Sequence, residues 1–273
     1  MNYNESLQYA FFYDLPAWAV ALALSAIMLL AVEIGYGLGI SRRIRRGLKD
    51  ADRGGGAIVL TSLFAVLGLL LAFTYSAAVD RHESRRQSLL QEANALGTAF
   101  LRADVLGDPH RTQLKQALYD YAINRRINPE VNTKEERLQG YAETLASQQK
   151  IWPITREAVA AETRAPIAFG VLASINEVMD QHLVRLDMGT NKLPVPVLIL
   201  LMIIAAMSLT LAGFVAGVQG HIGRWRLYGF ALVLSALIVV IIDFDRSTDG
   251  LIRVNGASIA ATIADMRSVM VPD

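Results

Sequence analysis

Residues 57–106 read AIVLTSLFAVLGLLLAFTYSAAVDRHESRRQSLLQEANALGTAFLRADVL, and the change of pattern inside this stretch decides the fold. Its first part, 57–79, contains no Asp, Glu, Lys or Arg. It reaches the roughly 20 residues that carry an α-helix across about 30 Å of hydrocarbon. From Asp80 onward the stretch is charged, yet its apolar residues Leu89, Ala93, Leu96 and Phe100 recur at spacings of three and four, the period of a helix with one apolar face. No proline interrupts it before Pro109. One long helix that crosses the membrane and continues into water is therefore predicted, ending near Leu106. There Gly107-Asp108-Pro109 offers a capping carboxylate and a proline to open the next helix.

Outward from this stretch, residues 17–40, 196–218 and 227–242 are also almost free of charge. The last is short for a span, but Trp225 and Tyr228 supply interfacial aromatic anchors at one end. An apolar content of 53% and a mean hydropathy of +0.35 are high for a chain this charged, because the apolar residues are concentrated in these four segments. The predicted fold class is all-α: a four-helix integral membrane protein with a helical extramembrane region between spans 2 and 3. Spans 1 and 2 are expected within 15–79, the helical extramembrane region over 80–192, and spans 3 and 4 within 193–243. A C-terminal tail, 244–273, holds a short amphipathic helix with Ile259, Ile263, Met266 and Met270 on one face. Within 80–192, Asn128-Pro129 and the capping-box spacing of Thr133 and Glu136 mark a break. Further helices are expected through Tyr141 and Val159 and over 166–186.

Arg42, Arg43, Arg45, Arg46, Lys49 and Arg53 lie between the first two spans, and Arg224 and Arg226 between the last two. Short loops rich in Lys and Arg stay cytoplasmic, which places both termini and the 80–192 segment on the non-cytoplasmic side. Met1–Leu15 carries no Lys or Arg, so the first apolar run is read as a retained span rather than a signal peptide. With no cysteine in the chain, disulfides, thiolate metal sites and cysteine nucleophiles are excluded. A net charge of +1 and the lack of a basic patch with interleaved aromatics point away from nucleic acid.

Familiar catalytic spacings fail. His82-Glu83 begins like a zinc-protease helix, but the second histidine position is Arg86. Gly54-Gly55-Gly56 lacks the Lys-Ser/Thr of a phosphate loop, and the glycines at 35, 37 and 39 lie in a span rather than after a strand. No enzyme activity, metal or cofactor is expected.

Four features carry candidate function. Gln91, Asn94, Thr98 and Arg102 form a polar stripe on the helix opposite its apolar face. Lining an aqueous path, the amides and hydroxyl would replace part of an ion's hydration and Arg102 would attract anions; the plainer alternative is the solvated face of an amphipathic helix. Gly97, inside the same helix at a cost of ~1 kcal/mol relative to Ala, suggests a close approach. Glu33 is the acidic residue well inside a span, ~10 Å from its end; it is either a proton or cation site or the partner of a neighbouring helix. Gly35 with Gly39, and Gly213 with Gly217, are spaced for close helix packing. Asp243, Asp245 and Asp249 form an acidic turn that resembles part of a calcium loop. Its twelfth position is Val254 rather than a bidentate Glu, so pairing with Arg246 or Arg253 is the favoured role.

EIGYGLGISRR (33–43), RHESRR (81–86), EANALGTAFLRADVL (92–106), NEVMDQH (176–182) with Leu193-Pro194, LAGFVAGVQG (211–220) and DFDRSTDGLIRV (243–254) together resemble the bestrophin-like family of bacterial membrane proteins. That resemblance implies a pentameric, anion-selective channel in the bacterial inner membrane, with four spans per subunit and the second lining the pore. Two features depart from the pattern: Phe64, Phe73 and Tyr75 are scattered rather than gathered into an aromatic neck, and the charge bias puts the large segment outside. The function expected is an oligomeric membrane protein forming a passive ion pathway, with anions preferred; its partners are the lipid bilayer, further copies of the chain and inorganic anions. The alternative is a non-conducting sensor or scaffold whose extramembrane helices bind a partner or an envelope component.

Overall fold

A computed structural model describes residues 15–46, 55–126, 134–220, 223–246 and 252–270. Among them are the helices α1 (Ala17–Arg46), α2 (Gly55–Ala103), α3 (His110–Asn124), α4 (Lys134–Ala161), α5 (Ala165–Thr190), α6 (Val195–Gln219), α7 (Arg224–Asp245) and α8 (Ala257–Met270), and no strand. The chain is all-α. Four of its helical stretches are long and apolar enough to cross a membrane, as expected of an integral membrane protein, because helices satisfy their own backbone groups in hydrocarbon. Two compact units divide the chain, one within 1–82 and 192–253, the other within 83–191 and 254–273.

The first unit is built on the glycine faces of α1 and α6. A Cβ on Gly35 would stand 1.9 Å from the Thr210 carbonyl oxygen, and one on Gly213 would stand 2.4 Å from that of Val32. Gly39 against Phe214 and Gly217 against Tyr36 repeat the contact one turn further on. Helix backbones touch here, which in lipid substitutes for the hydrophobic drive that water would supply. α7 joins through the Ser25–Ser235 hydroxyl pair at 2.9 Å. α6 ends on Gly220 in the left-handed conformation (φ 72°), its N–H donating to the Ala216 carbonyl at 2.9 Å. The Arg43 guanidinium lies against that glycine, a cation at the negative end of a helix. At the other end of α6, both carboxylate oxygens of the buried Asp245 accept the Leu193 N–H, at 3.1 and 2.9 Å.

The second unit packs the apolar face of α2 (Leu89, Ala93, Leu96, Phe100) with buried residues of α3, α4 and α5, and Ile259 and Met266 of α8 are buried in the same core. Arg85 terminates α5, donating from Nε to the Met188 carbonyl (3.1 Å) and from Nη2 to that of Asn191 (2.9 Å), so carbonyls orphaned at the helix end acquire a cation. The start of α3 differs from the sequence expectation. Pro109 occupies the cap position, and the Asp108 carboxylate takes the Thr112 hydroxyl (2.8 Å) and the Arg111 guanidinium. The break expected at Asn128-Pro129 and the cap at Thr133 lie outside the described residues.

Replacing Gly213 with Ala drives a methyl into the α1 backbone and should cost about 1–3 kcal/mol, the range for overpacking a filled interface. Gly37 faces open space on α1, so Gly37→Ala should leave the thermal midpoint in detergent unchanged or raised. Equal midpoints for the two variants would contradict the backbone contact.

Candidate functional site

Each residue advances an α-helix by about 100°, so α2 sends neighbouring residues to opposite sides. Gln91, Asn94, Thr98 and Arg102 are all exposed, along one side of α2, while Leu89, Glu92, Ala93 and Leu96 turn inward. Arg102 donates one hydrogen bond, from Nη1 to the Gly170 carbonyl at 2.9 Å, which ties its guanidinium to α5. A Cβ on Gly97 would meet Thr262 of α8 at 3.8 Å, ordinary contact distance. The glycine is therefore not forced by packing inside the chain, contrary to the close approach expected from the sequence.

Beneath the stripe lies a cluster that the sequence did not single out. Glu92 is fully buried, and an unpaired carboxylate there would cost several kcal/mol. Arg125, the residue that caps α3, donates from Nε to Oε1 at 2.6 Å and from Nη2 to Oε2 at 3.3 Å. Arg185 of α5 donates to Oε2 through Nη1, which also reaches the Arg125 carbonyl at 3.2 Å. Tyr121 places its hydroxyl 3.4 Å from Glu92 Oε1 and 3.0 Å from His182 Nδ1. The far nitrogen of that histidine, Nε2, is buried and has no hydrogen-bond partner among the described residues. Tyr121 and Arg125 are four residues apart and His182 and Arg185 three, so each pair projects from one face of its helix.

Electrostatics follows from this geometry. Burial pushes the Glu92 carboxyl up, but Arg185 and Arg125 together outweigh it and hold the group below its ordinary value. Burial, followed by the charge of Arg125, lowers His182 to about 4, so its imidazole is neutral near pH 7. Burial also raises the Tyr121 hydroxyl, which stays protonated. The cluster thus holds one anion and two cations around a neutral donor–acceptor pair. It fastens α2, α3 and α5 together and sets the rotational position of α2, and so where the stripe points.

The other candidates sit in the first unit. Glu33 meets the Tyr228 hydroxyl and lies 3.7 Å from Arg224 Nη1, with that guanidinium 5.0 Å from the Tyr36 ring centre. The carboxylate thus faces partners on α7. Asp243 and Asp245 point inward: Oδ2 of Asp243 accepts the Ile252 N–H at 2.9 Å, and Asp245 holds Leu193. Asp249 lies outside the described residues, and no group of three or more His, Asp or Glu able to hold a metal occurs among those described. The structure brings the stripe residues onto one face of α2 in the second unit, while Glu33, Asp243 and Asp245 belong to the first. The buried cluster had one sequence signal: Glu92 falls on the apolar face of α2, where an unpaired charge has no place.

A family model described as a Bestrophin-like domain matches residues 26–259. Among solved structures, the chain is similar to a bacterial bestrophin homolog from Klebsiella pneumoniae carrying a tryptophan-to-alanine mutation, at 15% identity and a TM-score of 0.61, covering 90% of this chain and 97% of that one. At that identity the likeness speaks to fold. No match was found among the curated proteins.

Glu92→Leu leaves the buried Arg125 and the half-buried Arg185 without their anion and should destabilise the chain by about 3–5 kcal/mol. Acidification should act more gently. Between about pH 6.5, where an unfolded histidine titrates, and the folded value of about 4, the unfolded chain binds more protons, so stability falls as pH falls. Below about pH 4.3 the Glu92 contribution is lost as well. Thermal melts across pH 4–7.5 should show the first slope in the parent chain and a shallower one in His182→Gln; identical slopes would remove His182 as the cause.

Proposed function

The chain belongs to the bestrophin-like family, and on that premise we propose that copies of it assemble into a ring that forms a passive ion pathway, with anions preferred. The observation that carries this is the isolation of α2. Only 6% of its most apolar window is buried within the chain, against 28, 33 and 39% for the other three spanning stretches. A span with so little cover from its own chain is available to other copies, and a ring of identical subunits is the closed arrangement in which one such helix per subunit surrounds an axis.

Two sections of α2 suit a path of this kind. Val66, Leu69 and Phe73 are exposed at spacings of three and four; repeated around an axis they make an apolar collar of the kind that gates by dewetting. Gln91, Asn94 and Thr98 offer amide and hydroxyl groups in place of hydration water. Arg102 spends one of its N–H donors on Gly170 and keeps an exposed guanidinium, a fixed positive charge that raises the local anion concentration. The arginine-rich short loops support an orientation with residues 80–192 on the non-cytoplasmic side.

Reconstituted into liposomes, the parent chain should conduct chloride in preference to potassium. Arg102→Glu reverses the sign of a pathway charge and should cut that preference several-fold, whereas Phe73→Ala, which widens the collar, should raise flux. A monomer in mild detergent, or liposomes that stay silent across pH, voltage and calcium, would rule the pathway out.

A further inference from the structure

Within the first unit, a groove of about 530 Å³ opens between residues 60–71 of α2, 212–216 of α6 and 227–237 of α7. Its volume is that of a small-molecule pocket, roughly 300–1,000 Å³, yet such pockets include a few polar groups and this one is walled almost wholly by Leu, Val, Phe, Ala and Gly. Phe64 and Phe230 meet edge to face across it at 5.2 Å.

What covers an apolar groove inside a membrane is decided by its length and by what stands at its end. From Leu227 to Leu237 the groove runs about 15 Å along α7, half of the roughly 30 Å hydrocarbon core. A transmembrane helix of another chain would need the full thickness, whereas an acyl chain occupies one leaflet. One end of the groove, at Leu227, lies at the start of α7. Arg226 precedes Phe230, Val233 and Leu237 by four, seven and eleven residues, so it heads the same helical face that lines the groove. It is exposed, forms no ion pair among the described residues, and lies over the ring of Trp225, with its guanidinium carbon 5.6 Å from the ring centre. Trp225 is itself exposed, at the start of a span where tryptophan marks the headgroup level. Arg224, two residues earlier, is turned instead toward Glu33 and Tyr36.

We infer that this groove holds one acyl chain of an anionic phospholipid whose phosphate is bound by Arg226, on the side of the membrane where α2 and α7 begin. The guanidinium provides paired N–H donors that match phosphate oxygens, and a basic residue at the membrane surface favours anionic over zwitterionic headgroups. Gly68 of α2 lines the groove, and a Cβ there meets nothing within 4 Å. That wall of the groove is open space.

The full chain in mild detergent, titrated with phosphatidylglycerol or phosphatidylcholine and read by native mass spectrometry, tests this directly. Both lipids offer the phosphate to Arg226, so the preference rests on net charge. Without the choline cation, phosphatidylglycerol should bind about fivefold more tightly, the size of one basic residue's attraction to anionic lipid. Arg226→Gln should bring the two lipids close to parity while leaving the acyl contribution intact. Gly68→Phe, which fills the groove, should weaken both. Binding of phosphatidylglycerol unchanged in both variants would overturn the assignment. So would an efficient disulfide between two copies of a Gly68→Cys variant in membranes, which would give the groove to a second copy of the chain. None of these readouts depends on ion flux, so a silent channel would leave the lipid site standing or falling on its own.

Discussion

The ion pairs of Glu92 govern the second unit. A carboxylate with no exposure is tolerated only when its charge and its lone pairs are answered, and here that takes Arg125 from the end of α3 and Arg185 from α5. Each guanidinium brings its helix to a set position against α2. Tyr121 and His182 complete the ring from those same two helices. The apolar contacts around them would tolerate a helix rotated or shifted by part of a turn. A buried ion cluster does not, because any slip leaves a charge unpaired in low dielectric. With Glu92 turned inward, helical geometry turns Gln91, Asn94 and Thr98 outward. The stripe is thus held in place from beneath.

A different economy shapes the first unit. α1 and α6 approach until backbone meets backbone, which only glycine at positions 35, 39, 213 and 217 permits, and α7 is attached through Ser25–Ser235, Glu33–Tyr228 and Glu33–Arg224. Asp245 then ties the end of α7 to the chain entering α6. Apolar α2 takes little part in this packing. The same looseness that makes it available to other subunits leaves a groove beside Gly68. Assembly and lipid binding would draw on a single helix that its own chain leaves largely uncovered.

Much of this was legible in the residues because it rests on local periodicity. Absence of charge over 57–79, 196–218 and 227–242 requires helices in hydrocarbon whatever the tertiary arrangement, and the three-and-four spacing of Leu89, Ala93, Leu96 and Phe100 required α2 to remain helical beyond the apolar segment. The exposure of Gln91, Asn94, Thr98 and Arg102 followed from the same angular arithmetic. The glycine pairs announced close packing without saying which helices met.

What the tertiary structure alone decided is which groups find each other across long separations. Glu92, Tyr121, Arg125, His182 and Arg185 lie on three helices with no spacing rule between them, so only the fold brings four of them around one carboxylate. Asp243 and Asp245 read locally as a turn suited to pairing with Arg246 or Arg253; in the fold both accept backbone N–H groups, one of them 52 residues away in sequence. Gly97 read as a packing glycine and turned out to have room for a methyl group. Periodicity is a property of neighbouring residues and can be counted along the chain. The partner of a buried charge is set by the packing of whole helices, and no residue carries that information by itself.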